Sequence, residues 1–376
     1  FSTTAMCRIA DEEGLSLDVV SDGELYTALK AGFPAHRIHF HGNNKTPQEI
    51  ELALDADIGC FVVDNFTEMH MLDALAGEKG KRVKVLLRIT PGVEAHTHEF
   101  ISTGQQDSKF GFDLASGMAF RAVQEAIGLP NLQLIGVHSH IGSQIFEVEG
   151  FRLAVDKVAG FAAEVRDKLG VTFSVFNMGG GFGIRYVEGD RPLPLAQYVQ
   201  AIADAIISSC KAADYPLPEV WIEPGRSIVG DAGTTLYTIG TSKDIPGIRK
   251  YIAVDGGMMD NPRPALYGSK YEAIVANRAN EPCTETVSVA GKACESGDML
   301  IWDLKVPPVQ PGDLLAVFCT GAYNYAMSSN YNRIRRPAVV FVKDGKADLV
   351  VARETLDDIV RNDLIPERLR KPALSR

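Results

Sequence analysis

The chain has 376 residues, 45% of them hydrophobic and 23% charged, a balance ordinary for an enzyme-sized globular protein and long enough for two domains or one large barrel with an appendage. Asp and Glu outnumber Lys and Arg by 48 to 38, giving a net charge of −10, which argues against the basic face that a nucleic-acid binder needs. No apolar run nears the roughly 18 residues of a membrane span, and the six scattered cysteines, without a CxxC pair, point to a reducing cytoplasm rather than a disulfide scaffold.

The chain opens in a helical pattern at Ser2–Glu13. Such a helix needs a strand ahead of it, so further sequence is expected before Phe1, where nothing has the basic start and apolar core of a signal peptide. Short β-branched, apolar runs then recur at Leu17–Val20, Arg37–Phe40, Ile58–Val63, Val83–Ile89, Leu132–Val137, Thr172–Phe176 and Val220–Ile222. Between them lie helical patterns such as Pro47–Leu54 and Phe151–Leu169, apolar at every third or fourth residue. Near-continuous apolar strands separated by helices indicate a parallel sheet covered by helices. These strands, with one expected upstream, reach the count of a (β/α)8 TIM-type barrel. An open doubly wound sheet competes, but the chain has no GxGxxG turn.

Beyond Gly233 the texture changes. Thr234–Thr241, Lys250–Val254, Glu285–Ala290, Asp298–Trp302, Asp313–Phe318 and Ala338–Val342 are strand-like runs punctuated by Gly, Pro and Asp, the pattern of a β-sandwich or β-barrel. Lys343–Lys346 (KDGK) signals a hairpin. Residues 1–232 are therefore assigned to an α/β barrel domain and 233–376 to a C-terminal β-rich domain. The tail from Arg353 reads as helical and then basic, with fraying expected over its last residues.

Three polar clusters follow consecutive predicted strands: HSHIGS at His138–Ser143, MGGGFG at Met178–Gly183 and EPGR at Glu223–Arg226. In a barrel all strands open on one face at their C-terminal ends, so the three are expected to converge, and loops there commonly form a phosphate cup. Gly179, Gly180 and Gly181 fit such a cup, since glycine backbone approaches an anion closely; a tight turn without a ligand is the other reading. Ser143 is a candidate phosphate partner. Glu223 suits a protonated ring nitrogen, or else a salt bridge to Arg226. His138 and His140 share a strand face, which raises metal ligation, packing of one ring, or stacking of His140 on a flat cofactor. His96 and His98 form a second HxH pair in a loop. In the β-rich half, Cys294 beside Glu295 is a candidate proton donor or a small buried hydrophobe. Arg263 and Tyr267, stiffened by the neighbouring Pro262 and Pro264, read as an anion-recognition loop or as a pinned surface loop.

In order along the chain occur LSLDVVSDGELYTAL, FHGNNK, HSHIGSQ, GGGFG, EPGR, DNPRPALY, CESGD and GAYN. Through this series the whole sequence resembles the alanine-racemase-like, fold type III decarboxylases that depend on pyridoxal 5'-phosphate. The resemblance implies that Gly179, Gly180, Gly181 and the Glu223-Pro224-Gly225-Arg226 segment hold the cofactor phosphate with Ser143. It implies that Glu223 pairs with the ring nitrogen and that His140 stacks on the ring. Arg226, Arg263 and Tyr267 would take the substrate's distal end and Glu295 its amine. Cys294 would be the general acid, and Tyr323 would touch cofactor and substrate. It further implies a homodimer with shared active sites, Cys294 and Glu295 reaching in from the second subunit, and no metal. The Schiff-base lysine of the family belongs to a YAxKA-like strand expected ahead of Phe1; neither Lys30 nor Lys45 stands in that context.

Arginines and a tyrosine at the distal end suit a carboxylate, and Glu295 suits an amine. A substrate with an amino acid at both ends, as in meso-diaminopimelate, satisfies both, with L-lysine as product and lysine biosynthesis as setting. Rival readings are a decarboxylase of carboxynorspermidine, arginine or ornithine, a non-catalytic regulatory homologue, and a metal hydrolase using the HxH pairs.

Overall fold

The structure, a computed structural model, describes residues 1–93 and 108–370, and the chain divides into two units, Phe1–Thr234 and Thr235–Arg376. The strands of the first are β1 (Leu17–Val19), β2 (Ile38–Phe40), β3 (Cys60–Val63), β4 (Val83–Thr90), a two-residue β5 (Phe112–Asp113), β6 (Leu132–His138), β7 (Val175–Gly180) and β8 (Glu219–Glu223). β5 pairs with β4; the rest form one parallel sheet in the order β1-β2-β3-β4-β6-β7-β8. Trp221 on β8 stacks on His39 on β2, with 4.4 Å between ring centroids, so the sheet curls back on itself. The result is the nearly closed, TIM-type α/β barrel that the alternating sequence predicts.

Local chemistry starts the returning helices. Ser21, Thr46 and Asn65 lie just past strands and accept the backbone N–H groups of Glu24, Glu49 and Glu68, three residues on. Thr46 and Glu49 form a full capping box ahead of Pro47. The helix Glu149–Leu169 buries Phe151, Ala154, Val155, Val158, Ala162 and Val165 along one stripe and stops at Gly170, whose φ of 68° suits glycine.

Strand side chains alternate between two faces. One face, including Phe40, Phe61, Val63, Leu87 and Phe176, packs into the main core with the helices. Each such phenylalanine contributes about 2–3 kcal/mol by leaving water. The other face puts Cys60, Val62, Leu86 and Val175 into a separate cluster flanked by Ile135 and Trp221, the floor of the barrel. Two residues further on, that same face turns polar at Asp64, Arg88, Asn177 and Glu223, with His41 and His138 joining from β2's end and β6. Parity of the strands thus sets a polar rim above an apolar floor. β7 begins later and runs further than Thr172–Phe176, because its pairing with β8 continues through Asn177 to Gly180.

The second unit has a six-stranded mixed sheet built from β9 (Thr234–Ile245), β10 (Arg249–Val254), β11 (Ala273–Val275), β12 (Glu285–Ala290), β13 (Met299–Val306) and β14 (Leu314–Phe318), in the order β11-β14-β9-β10-β12-β13. β15 (Val339–Lys343) and β16 (Lys346–Val351) form a separate hairpin. Its turn, Asp344-Gly345, has positive φ at both residues, 51° and 75°, the type I′ geometry that an Asp-Gly pair favours. β11, three residues long, is too short to show a period and has no counterpart in the sequence reading. The His96 and His98 pair and residues 371–376 lie outside the described residues. Among those described, no helix is long and apolar enough to cross a membrane.

Candidate active site

At the end of β8, Glu223 is gripped from three neighbouring elements. Asn177 on β7 donates its Nδ2 to Oε1 at 2.7 Å, and His138 on β6 lies with Nε2 3.1 Å from the same oxygen. His41, just past β2, holds its Nε2 3.5 Å from Oε1 and 3.4 Å from Asp18 Oδ1. Burial alone would raise the Glu223 carboxyl, but the imidazoles of His138 and His41 and the hydrogen bond from His138 outweigh it, holding it well below the usual carboxylate range. At His41 burial disfavours a charge, but Glu223 and Asp18 more than restore it and raise its pKa. His138 is lowered by burial and stays neutral. Since an ionised carboxylate only accepts, His138 carries its proton on Nε2, with Nδ1 buried and unbonded.

The three sequence clusters meet here. Gly180 pairs in register with Glu223, and its N–H donates to His140 Nδ1 at 3.2 Å. That bond fixes His140 as the Nε2–H tautomer, and burial pushes its pKa down to about 4, so the ring is neutral. Gly179 and Gly181 have φ of 68° and 97°. A side chain at Gly181 would strike the Gly142 carbonyl oxygen at 2.1 Å, so the HSHIGS and GGG loops close on each other only because that position has no Cβ.

Arg226 extends the cluster. It is buried, with Nη2 donating to Ser143 Oγ at 2.8 Å and Nη1 to Tyr186 Oη at 2.5 Å. The short helix Gly225–Val229 follows Pro224, whose carbonyl accepts from Ile228 N–H and Ser227 Oγ. A Cβ at Gly225 would meet open space within 4 Å.

The HxH pair does not act as a pair. His138 faces Glu223 while His140 faces Gly180. A different trio, His41, His138 and Glu223, has donor atoms within 4.8 Å of one another and could hold a metal ion. Its His138 Nδ1, unbonded, lacks the outer hydrogen bond that orients metal-bound imidazoles.

In the second unit, Cys294 is exposed and its N–H donates to Asn332 Oδ1 at 2.8 Å, so it is not the buried hydrophobe of the alternative reading. Glu295 turns Oε1 toward Gly297 N–H at 3.2 Å. Arg263 is buried and donates to Tyr271 Oη at 2.7 Å, and Tyr271 in turn donates to Asn324 Oδ1 at 3.4 Å, which links DNPRPALY to GAYN. Arg263 and Tyr267 begin and end a one-turn helix, Tyr267 half-buried. Tyr323 is 43% exposed with φ of 61°, a conformation rare for a bulky residue. Sequence reasoning assigned no role to His41, Asp18, Asn177 or Tyr186. The first three were findable: each alternates with helix-facing Leu17, Val19, Phe40 or Phe176, so each must face the barrel interior. Tyr186 lies in a loop that carries no such period.

A family model described as "Pyridoxal-dependent decarboxylase, pyridoxal binding domain" matches residues 1–230. A diaminopimelate decarboxylase of Bacillus subtilis (strain 168) is 61% identical over 364 residues, spanning 97% of this chain and 83% of its own length. The one from Staphylococcus aureus (strain COL) is 50% identical over 96% of this chain and 85% of its own. Among solved structures, a diaminopimelate decarboxylase from M. jannaschii in complex with L-lysine superposes with a TM-score of 0.91 at 35% identity, over 98% of this chain and 83% of that one.

Proposed function

The chain belongs to the pyridoxal-dependent decarboxylase family, among its diaminopimelate decarboxylases, and on that premise we propose how its residues divide the work of releasing CO2 from meso-diaminopimelate to leave L-lysine. The single observation that carries the proposal is the carboxylate of Glu223, kept ionised by His41, His138 and Asn177 beside the glycine turn and a neutral imidazole.

The donor set fits pyridoxal 5'-phosphate. That molecule has a basic ring nitrogen at one pole and a phosphate dianion at the other. The barrel rim offers an ionised carboxylate for the first, and the Ser143–Arg226 pair with Gly179, Gly180 and Gly181 for the second. When bound, the cofactor supplies an electron sink for the pair left on Cα as CO2 departs. Glu223 then holds a proton on the ring nitrogen, which a neutral partner would not do. His140, uncharged, offers a flat face for stacking without a competing positive charge. Pro224 and Gly225 turn the chain so that Arg226 reaches Ser143; that contact supports Arg226 on the phosphate side more than at the distal end of the substrate.

The remaining roles follow from the family and from residue chemistry. Cys294, exposed on its loop, delivers the proton to Cα. Arg263 and Tyr267 take the distal carboxylate, for which a planar guanidinium is suited, Glu295 takes the distal amine, and Tyr323 contacts the substrate. Residues 1–232 bind the cofactor, and 233–376 supply substrate and dimer-interface residues in a cytoplasmic homodimer with shared active sites. The test is CO2 release by the purified protein supplied with pyridoxal phosphate and, in separate reactions, meso-diaminopimelate, ornithine, arginine and carboxynorspermidine. Release from diaminopimelate alone supports the proposal. Preference for another amino acid, or no release, refutes it.

A further inference from the structure

We propose that Asp298 is a positioning residue that locks the Cys294 loop onto the turn leading to Arg263, and so sets where the thiol stands without itself meeting substrate. The inference rests on reading Cys294 as the proton donor. Asp298 is the last residue of CESGD, and its side chain is buried. Its two carboxylate oxygens go to two different loops: Oδ1 accepts from Met258 N–H at 2.7 Å and Oδ2 from Ala293 N–H at 2.8 Å. Its backbone works on the same loop, its N–H donating to the Glu295 carbonyl at 3.1 Å and its carbonyl accepting from Gly291 N–H at 2.9 Å. Lys292 N–H to the Gly256 carbonyl, 2.9 Å, adds a second tie between the same two loops.

Three features mark this as a built device and not a chance pairing. A carboxylate out of water is costly unless its oxygens are satisfied, and here each oxygen holds one loop amide. A Cβ at Gly257 would come within 2.5 Å of the Asp298 carboxylate, and one at Gly291 within 2.2 Å, so both loops give up side chains to let it in. Finally, the Met258 turn continues through Asp260 and Asn261, whose N–H groups both donate to the Gly257 carbonyl, directly into Pro262 and Arg263. One buried side chain therefore ties the proposed acid to the proposed carboxylate clamp, while Asn332 Oδ1 accepts the Cys294 N–H.

The experiment compares the full chain with Asp298→Asn, which keeps the size but turns one oxygen into an amide nitrogen facing an N–H. The first readout is alkylation of Cys294 by iodoacetamide, measured by peptide mass spectrometry against exposed Cys283 in the same molecule. Loosening the loop should raise the Cys294 to Cys283 rate ratio severalfold. In the enzyme supplied with pyridoxal phosphate, kcat should fall roughly tenfold or more, as expected for a misplaced catalytic group, with the dissociation constant of pyridoxal phosphate unchanged. A folded variant with an unaltered alkylation ratio and kcat overturns the proposal. If the variant does not fold, hydrogen exchange on the unaltered protein decides: Met258 and Ala293 amides should be protected together, and exchange of either at the rate of an open loop overturns the tie. Full activity in Cys294→Ala would instead defeat the acid assignment and leave alkylation and exchange to report on the tie alone.

Discussion

Gly180 and Gly225 both belong to rim motifs, yet a methyl group added to each meets opposite surroundings. At Gly180 it would stand 1.9 Å from the Glu223 carbonyl oxygen and 2.8 Å from the carbonyl carbon, both backbone atoms that cannot swing aside. Ordinary contact needs about 3.5 Å, so β7 and β8 would have to part by well over an ångström where they pair. Over-packing costs about 1–3 kcal/mol, and losing the pairing and the Gly180-to-His140 hydrogen bond adds about 1 kcal/mol or more. At about 2–4 °C per kcal/mol, Gly180→Ala should melt roughly 5–15 °C below the parent. At Gly225, the first residue of a helix with nothing within 4 Å, alanine should be neutral or raise stability by up to about 1 kcal/mol. The assay is a pair of thermal melts followed by circular dichroism. Melting points for the two variants within about 2 °C of each other would refute the close approach of these strands and, with it, the geometry around Glu223.

Other perturbations probe separate parts of the molecule. Lys45 donates to Glu68 at 2.7 Å, both side chains almost fully buried, and also to the Gly42 and Val62 carbonyls; Lys45→Met should cost about 3–5 kcal/mol in urea unfolding by stranding the acid, and a Lys45→Met/Glu68→Leu double variant should recover part of it. His140, at about 4 when folded against 6.5 when free, binds its proton more readily unfolded, so its contribution is complete above pH 6.5 and is lost as pH falls toward 4, by up to about 3 kcal/mol. Urea unfolding across that range should show a shallower decline in His140→Gln. Cys294→Ala should lower kcat by about 10²–10⁴ and leave pyridoxal phosphate binding intact, as measured by equilibrium dialysis. Arg263→Ala should raise KM for diaminopimelate far more than it weakens cofactor binding, and an unchanged KM would remove Arg263 from the distal clamp.

Much of this architecture is legible in the sequence because strand and helix periods are local. Leu17, Phe40, Phe61 and Phe176 announce helix-covered strands, and KDGK announces its hairpin. The convergence of HSHIGS, GGG and EPGR follows from the parallel topology, and Gly180 paired to Glu223 is its physical expression. What the sequence conceals is pairing across the barrel. His138 and His140 look like one unit on a strand, yet one serves Glu223 and the other the glycine turn, because the strand ends between them. Arg226 reads from the sequence as a salt-bridge partner of Glu223 or a clamp on substrate, but Tyr186 and Ser143 enclose it from loops that carry no period. His41, on a quoted motif, acquires its meaning only when β8 curls round to face β2.

The two-residue step from apolar floor to polar rim also constrains how this protein can evolve. Exchanging Leu86 for another aliphatic leaves Arg88 where it is. Inserting or deleting one codon anywhere between the two rotates everything downstream onto the wrong side, sending the guanidinium into the helix layer and a greasy group into the site. Drift by replacement is open to these strands, whereas a change in length survives only where a bulge absorbs it, as on β6, where Leu134 and Gly136 oppose adjacent Val85 and Leu86.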